Sequence, residues 1–222
     1  MNVFINTSEV NIKSWSDFVS LHPNGNFFQT PEIHEFYSKV KNFEPIFICA
    51  VQNNEIQGLL VAVIQKETGY KGKFSTRSII YGGPLVKNNS DNITEIILQA
   101  YNAIANKRVI YTQIRNIYCH KELIESYAKC GFKYTKHLNY IIPISTADEL
   151  KKRISESKLR QIKKGLKIGT SIIEATQEEQ VKVLYGLLKN LYKNKIKQPL
   201  PDYSFFINFF NLICKKKEVL FF

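Results

Sequence analysis

The 222-residue sequence predicts a mixed α/β fold, one sheet with helices on its faces. Three observations predict it. Apolar residues recur at helical spacing in an early segment and again over residues 91–106. Short runs rich in β-formers stand between those helices, at residues 45–51, 57–65 and 75–81. Strand and helix then alternate, an order that excludes both a pure sandwich and a pure bundle. Hydrophobic residues make up 44% of the chain and charged residues 23%, so it can bury a core and is not of the disordered class.

The elements follow in order. Residues 3–5 allow a leading strand. Residues 15–21 read as a short helix with Ser14 at its cap. His22-Pro23-Asn24-Gly25-Asn26 is a turn cluster. Thr30 caps a second helix with Pro31 at its first position, and Ile33, Phe36, Tyr37 and Val40 share one face of it. A hairpin comes next: strand 45–51, a turn at Asn53-Asn54, and the return strand 57–65. Strand 75–81 ends at Gly82-Gly83-Pro84. Residues 91–106 form a long amphipathic helix, 108–115 a strand, 120–130 a helix and 133–144 another strand. This is the order of the GNAT acyltransferase fold. A Rossmann fold needs regular alternation from the start, and there is no GxGxxG.

Beyond residue 145 the composition changes. Lys151, Lys152, Arg153, Lys158, Arg160, Lys163, Lys164 and Lys167 stand against the lone acid Glu156, and Gly165 and Gly169 punctuate the end of the run. A strand at 171–174, a helix at 178–192, a polar loop with two prolines at 193–202, a helix at 204–213 and the start of a strand at 219–222 follow. That series repeats the opening of the chain. The organisation expected is therefore a first GNAT-like domain at 1–145, a basic helical connector at 146–169, and the first half of a second GNAT-like domain at 170–222, apparently truncated.

The charge narrows the partners. With 31 Lys and Arg against 19 Asp and Glu, the net charge is +12, which favours nucleic acid, anionic lipid or phosphorylated small molecules. A lysine-rich composition from an AT-rich genome gives the same surplus. The four cysteines form no CxxC pair and fit neither a disulfide scaffold nor a zinc site, so reduced thiols and a cytoplasmic location are expected. Residues 1–10 show no basic region followed by an apolar run, so no signal peptide is expected, and no apolar stretch is long enough for a transmembrane segment. There is no HExxH, no P-loop and no suggestive pair of carboxylates, and the four histidines are scattered. Such a chain does chemistry by positioning and electrostatics. The place where acetyl-CoA would rest its pyrophosphate is the segment 81–86, but Pro84 removes a donor there and no spaced glycines follow. That segment reads first as a strand-end turn.

Several motifs, in order, resemble the Fem family of non-ribosomal peptidyl (aminoacyl) transferases. They are Phe27-Phe28-Gln29-Thr30-Pro31-Glu32, then Lys39-Val40-Lys41-Asn42 with Glu44-Pro45, Gly83-Pro84-Leu85-Val86, and Gln113-Ile114-Arg115. Gly131-Phe132 with Pro143-Ile144 follows, and then the basic run Ser157 onward to Gly165. The resemblance covers nearly the whole chain. It implies a two-domain GNAT-like enzyme that moves an amino acid from aminoacyl-tRNA to an amine of a UDP- or lipid-linked muropeptide. It implies no tightly bound cofactor. Under it, Lys41 aligns with a lysine that contacts the precursor's diphosphate; a solvated helix-end lysine is the other reading. Lys197-Gln198-Pro199 stands where the family can place Arg before Pro, and lysine lacks the bidentate geometry of arginine. Tyr203 lies near a tyrosine of the same cleft, or packs with Phe205 and Phe206. Arg115 ends a family strand. The catalytic residues are expected in later strands of the second domain, so weak or no turnover is expected of these 222 residues.

Lys158, Arg160, Lys163 and Lys164 carry two readings: contacts to tRNA or an anionic membrane surface, or a solvated helix face. Over 151–167 the cations are spread around the helix, with no aromatic interleaving. The alternatives to an aminoacyltransferase are an acyl-CoA N-acyltransferase acting on a sugar or lipid amine, and a non-catalytic GNAT pair that binds anionic ligands.

Overall fold

The structure, a computed structural model, describes residues 1–66, 75–119, 121–140, 143 and 145–215. It opens with β1 (Asn2–Phe4) and α1 (Ile12–Leu21). The Asn11 side chain accepts the N–H of Ser14 at 3.1 Å, so Asn11 and not Ser14 caps this helix. An Asx oxygen in extended backbone starts the helix a turn earlier than its apolar stripe suggests. Thr30 caps α2 (Pro31–Lys39) as expected, with Pro31 in its first turn.

β2 (Phe43–Gln52) and β3 (Glu55–Gln65) form a long antiparallel hairpin. Asn53 and Asn54 both take positive φ at its tip, the backbone a tight hairpin turn demands and Asn tolerates. Residues 46–50 and 58–64 are buried on both sides of the sheet, which is why they read as continuous apolar runs. β4 (Arg77–Tyr81) pairs antiparallel with β3, and β5 (Leu85–Val86) resumes on the same strand further along. α3 (Asp91–Ala105) then crosses over, and β6 (Tyr111–Arg115) returns parallel to β4. The sheet order is β1-β2-β3-β4-β6. A 3-10 turn at Lys121–Leu123 leads into α4 (Ile124–Lys129).

Helices cover both faces. On one, Trp15, Ile33 and Phe36 pack on Phe47, Leu59 and Val61. On the other, Ile97, Leu98 and Tyr101 pack on Ile48, Leu60 and Ile80. After α4 come α5 (Ala147–Arg153), α6 (Glu156–Lys167), α7 (Glu178–Leu191) and α8 (Tyr203–Lys215). α8 returns to the α1–α2 face, where Phe205, Phe209 and Leu212 pack on the same core. The Phe205 ring lies 5.3 Å from Phe36 and 5.9 Å from Phe43.

Four expectations need correcting. The strand at 133–144 is not formed over residues 133–140, where Tyr134, Leu138 and Tyr140 are exposed and find no apolar face. The strand at 171–174 is likewise absent; Ile172 and Ile173 stand in solvent, and among the described residues no strand lies beside them to pair. The connector is two helices, because Ile154 and Ser155 take extended backbone and Ser155 caps a new start. The polar loop at 193–202 begins as a π-helical turn, Tyr192–Ile196, that prolongs α7. The expected strand at 219–222 and His120 lie outside the described residues, as do Ile141, Ile142 and Ile144.

Candidate functional site

The parallel pair β4–β6 ends at Tyr81 and Arg115, with the crossover helix α3 between them. In open α/β sheets the carboxyl ends of such strands are where ligands sit. The Arg115 guanidinium lies 5.4 Å from the centre of the Tyr81 ring, and its Nη1 is 3.4 Å from the Tyr81 hydroxyl. Gln113 Oε1 accepts from Arg115 Nε and Nη2 at 3.2 and 2.9 Å. Phe28 stacks on the other partner, Tyr81, at 5.0 Å. The cation lies over an aromatic shelf and is still exposed, so it stays open to an anion.

Behind this shelf the sheet is closed by a side chain. Between β4 and β5 the chain bulges through Gly82-Gly83-Pro84, with a cis Gly83–Pro84 bond. Gln29 fills the gap. Its Nε2 donates to Val61 O (3.1 Å) and Tyr81 O (2.7 Å), and its Oε1 accepts the Val61 N–H at 2.7 Å. Trp15 Nε1 donates to the Gln29 carbonyl at 2.8 Å, and Asn26 Nδ2 donates to Gly82 O. Gly82 has φ +59, and a Cβ on Gly83 would lie 2.7 Å from the Gln29 side chain. A side chain at Gly82 would press on Asn26 from a left-handed backbone, and one at Gly83 would displace the Gln29 amide, so both positions favour glycine.

The same contacts bear on acyl-CoA. The Gly82 N–H already donates to Arg115 O at 2.9 Å, and Pro84 has no N–H to give. Asp91 stands in the first turn of α3, its carboxylate hydrogen-bonded by Ser126 Oγ. A carboxylate there takes up the helix's positive end and repels a pyrophosphate. The strand-end turn is built as a turn, without an anion cradle.

Lys41 sits elsewhere, in the turn between α2 and β2. β2 begins beside the end of β3 and the start of β4, whereas Tyr81 and Arg115 are four residues further along. Along the strand direction alone the two places are about 13 Å apart, and β2 lies two strands from β4 and three from β6. Lys41 meets the N-terminus of α8. Its backbone N–H donates to Ser204 Oγ at 2.9 Å, and Asn208 Nδ2 donates to the Lys39 carbonyl at 3.1 Å. Asp202 Oδ1 caps α8 through the Ser204 N–H at 3.0 Å. That bond, with help from the Ser204 hydroxyl and the Lys41 charge, holds the Asp202 carboxyl below its usual range against the opposing effect of burial. Tyr203 packs on Tyr185 of α7, ring centres 5.4 Å apart. Lys197 takes left-handed backbone, φ 57, and its N–H closes on Tyr192 O at 2.7 Å; it and Gln198 are exposed. Lys158, Arg160, Lys163 and Lys164 are exposed together on α6.

The expected residues thus fall into three places: Arg115 at the strand ends, Lys41 near Tyr203 at the α8 junction, and the cations of α6. Reasoning from the sequence missed the roles of Gln29, Asn26, Asp202 and Ser204. The only signal for the first was a polar residue set between Phe28 and a helix cap. A separate cavity of about 370 Å³ lies between the end of α1 and the turn after β5, lined by Phe18, Leu21, His22, Ile56, Val86 and Lys87 among others. No residue expected for the site lines it. Among the described residues, no group of His, Cys, Asp and Glu could hold a metal ion.

The sheet order, the β4–α3–β6 crossover and the helices on both faces define a GNAT-like α/β fold. The particular structure it follows over almost its whole length is FemX: TM-score 0.62 at 20% identity, covering 97% of this chain and 56% of that one. The chain therefore spans little more than half the length of the FemX chain. Looser likenesses, each with TM-score 0.44, join about two thirds of the chain to an aminoglycoside 6'-N-acetyltransferase from Acinetobacter haemolyticus (16% identity, 66% of this chain, 100% of that one) and to a ribosomal-protein-alanine N-acetyltransferase from Brucella melitensis (8% identity, 65% of this chain, 100% of that one). No family model and no curated protein matches the sequence.

Proposed function

We propose that the protein is an acyl-group transferase of the aminoacyl kind, acting on an amine of a diphosphate-linked muropeptide in the cytoplasm. The observation that carries the reading is the junction at Lys41. There the backbone that carries an exposed cation is fixed in a turn, because α8 latches onto that turn through Ser204 and Asn208. The FemX fold supports it, together with the motif order around Gln29, Lys41 and Arg115. An ammonium carried on such a junction suits a diphosphate as a point charge.

In the reaction the acceptor amine, as free base, attacks the ester carbonyl of aminoacyl-tRNA. A C–N bond forms, the C–O bond to the ribose breaks, and the proton lost by nitrogen passes to the ribose oxygen. An exposed Arg115 beside Tyr81 offers donors for an anionic group of either substrate. The taken Gly82 N–H and the Asp91 carboxylate speak against acyl-CoA as donor in this domain.

The test is calorimetric titration with a UDP-linked muropeptide. Binding by the wild-type protein, weakened about tenfold in Lys41→Ala, is expected for one lost charge-assisted contact. Unchanged affinity in that variant removes Lys41 from the site. Binding of acetyl-CoA with no response to the muropeptide overturns the acceptor assignment.

A further inference from the structure

We infer that α6 is a docking element for an anionic lipid surface. Leu159, Ile162 and Leu166 are spaced i, i+3 and i+7, which places them on one stripe of the helix. Much of the stripe is left open: Ile162 is 48% and Leu166 65% exposed, and Leu159 is half-buried. At 100° per residue Lys158 borders it on one side and Lys163 on the other, with Arg160, Lys164 and Lys167 filling the far face. Past the helix end more aliphatic side chains stand in solvent: Ile168, Ile172 and Ile173 are 75%, 99% and 74% exposed.

This combination selects the partner. Across 151–167 eight cations face one acid, and all eight are exposed. An anionic bilayer offers what the helix lacks on both counts: negative headgroups for the flanking lysines and acyl chains for the aliphatic stripe. A nucleic acid offers only the first. Segment 146–169 has no aromatic residue on which a base could stack, and a row of leucine and isoleucine gains nothing from a phosphate backbone. Among the described residues no helix is long and apolar enough to cross a membrane, so the contact lies in the plane of the surface. The inference does not depend on the Lys41 reading; a protein that failed to bind a muropeptide could still dock this way.

The experiment is co-sedimentation of the 222-residue protein with vesicles of phosphatidylglycerol and phosphatidylcholine, against phosphatidylcholine alone. Two double variants accompany it, Lys158→Glu with Lys163→Glu and Ile162→Ser with Leu166→Ser. All four side chains are exposed, so neither variant touches a core, and circular dichroism verifies folding. Binding to the anionic vesicles alone is expected. It should weaken about fivefold for each lysine removed and roughly tenfold for each apolar side chain removed. Three results overturn the inference. One is no vesicle binding. Another is binding that responds to the lysine pair, not to the apolar pair, and is matched by tRNA, the mark of a simple polyanion surface. The last is a dimer in sedimentation that is lost in the Ile162→Ser, Leu166→Ser variant, which would mean that a second copy covers the stripe.

Discussion

A single side chain, Gln29, does the work of a short strand. Its amide supplies one donor and one acceptor to the backbone of Val61 and a further donor contact to Tyr81, and the residue is 0% exposed. Leucine has nearly the same bulk but leaves the Val61 N–H and the two carbonyls without partners. Gln29→Leu should therefore cost roughly 3–5 kcal/mol, read as a lower denaturant midpoint with an unchanged slope. His34 sets a different condition. Burial between Trp15 and Phe47 lowers its pKa from 6.5. The unfolded chain thus takes up a proton first as pH falls. The contribution to stability is whole above about 6.5 and is lost as pH drops through the lower folded-state pKa. Melting temperatures measured from pH 7 down to pH 5 should fall for the wild type, and less steeply for His34→Gln. Neither residue announced itself beforehand. Gln29 stood in a quoted motif without a role, because a side chain that bonds to backbone 32 and 52 positions away leaves no local pattern. Thr30 and Pro31, whose chemistry is local, were legible at once.

Whole elements divide along the same line. The hairpin β2–β3, the helix α3 and the early helices carry their period in adjacent residues, and the structure has them within a few positions of where periodicity places them. The segment 133–140 has the composition of a strand and does not form one, because β-pairing is a property of two chains and composition describes one. β6 shows the other half of that fact: it lies at the rim of the sheet, with its residues alternately exposed and half-buried. The ladder of amphipathic helices beyond residue 145 was visible, but which faces stay uncovered was not. Leu166 and Val181 look alike in sequence, and one is 65% exposed while the other is 4%.

At the scale of the molecule, the arrangement joins a sheet unit to the α7–α8 pair through an aromatic contact, Leu212 and the two hydrogen bonds at the Lys39–Lys41 turn. Phe205 and Phe209 of α8 meet Phe36 at 5.3 and 5.9 Å, while Tyr185 of α7 meets Phe206 at 5.4 Å. α8 is thus clasped on two sides. Replacing Phe205 and Phe209 together by alanine should release the pair from the sheet unit at a cost of about 3 kcal/mol or more, while the sheet unit keeps its own core. Limited proteolysis should then cut between residues 197 and 203 faster than in the wild type, with a resistant fragment that begins at the N-terminus. Equal cleavage rates would show that the aromatic contact does not hold the two parts together. Of the candidate site, Arg115 and Lys41 are legible in the sequence as single residues, but their separation is not, since it depends on strand register.

The plug at Gln29 also orders events during synthesis. Protein chains emerge from the ribosome N-terminus first, and β3, β4 and the bulge between β4 and β5 leave the exit tunnel only after residues 26–29. The clamp precedes what it clamps. A nascent chain therefore meets its seam with the closing group already at hand, whereas a circularly permuted chain that begins at residue 31 would have to assemble a gapped sheet and wait for its last residues to seal it.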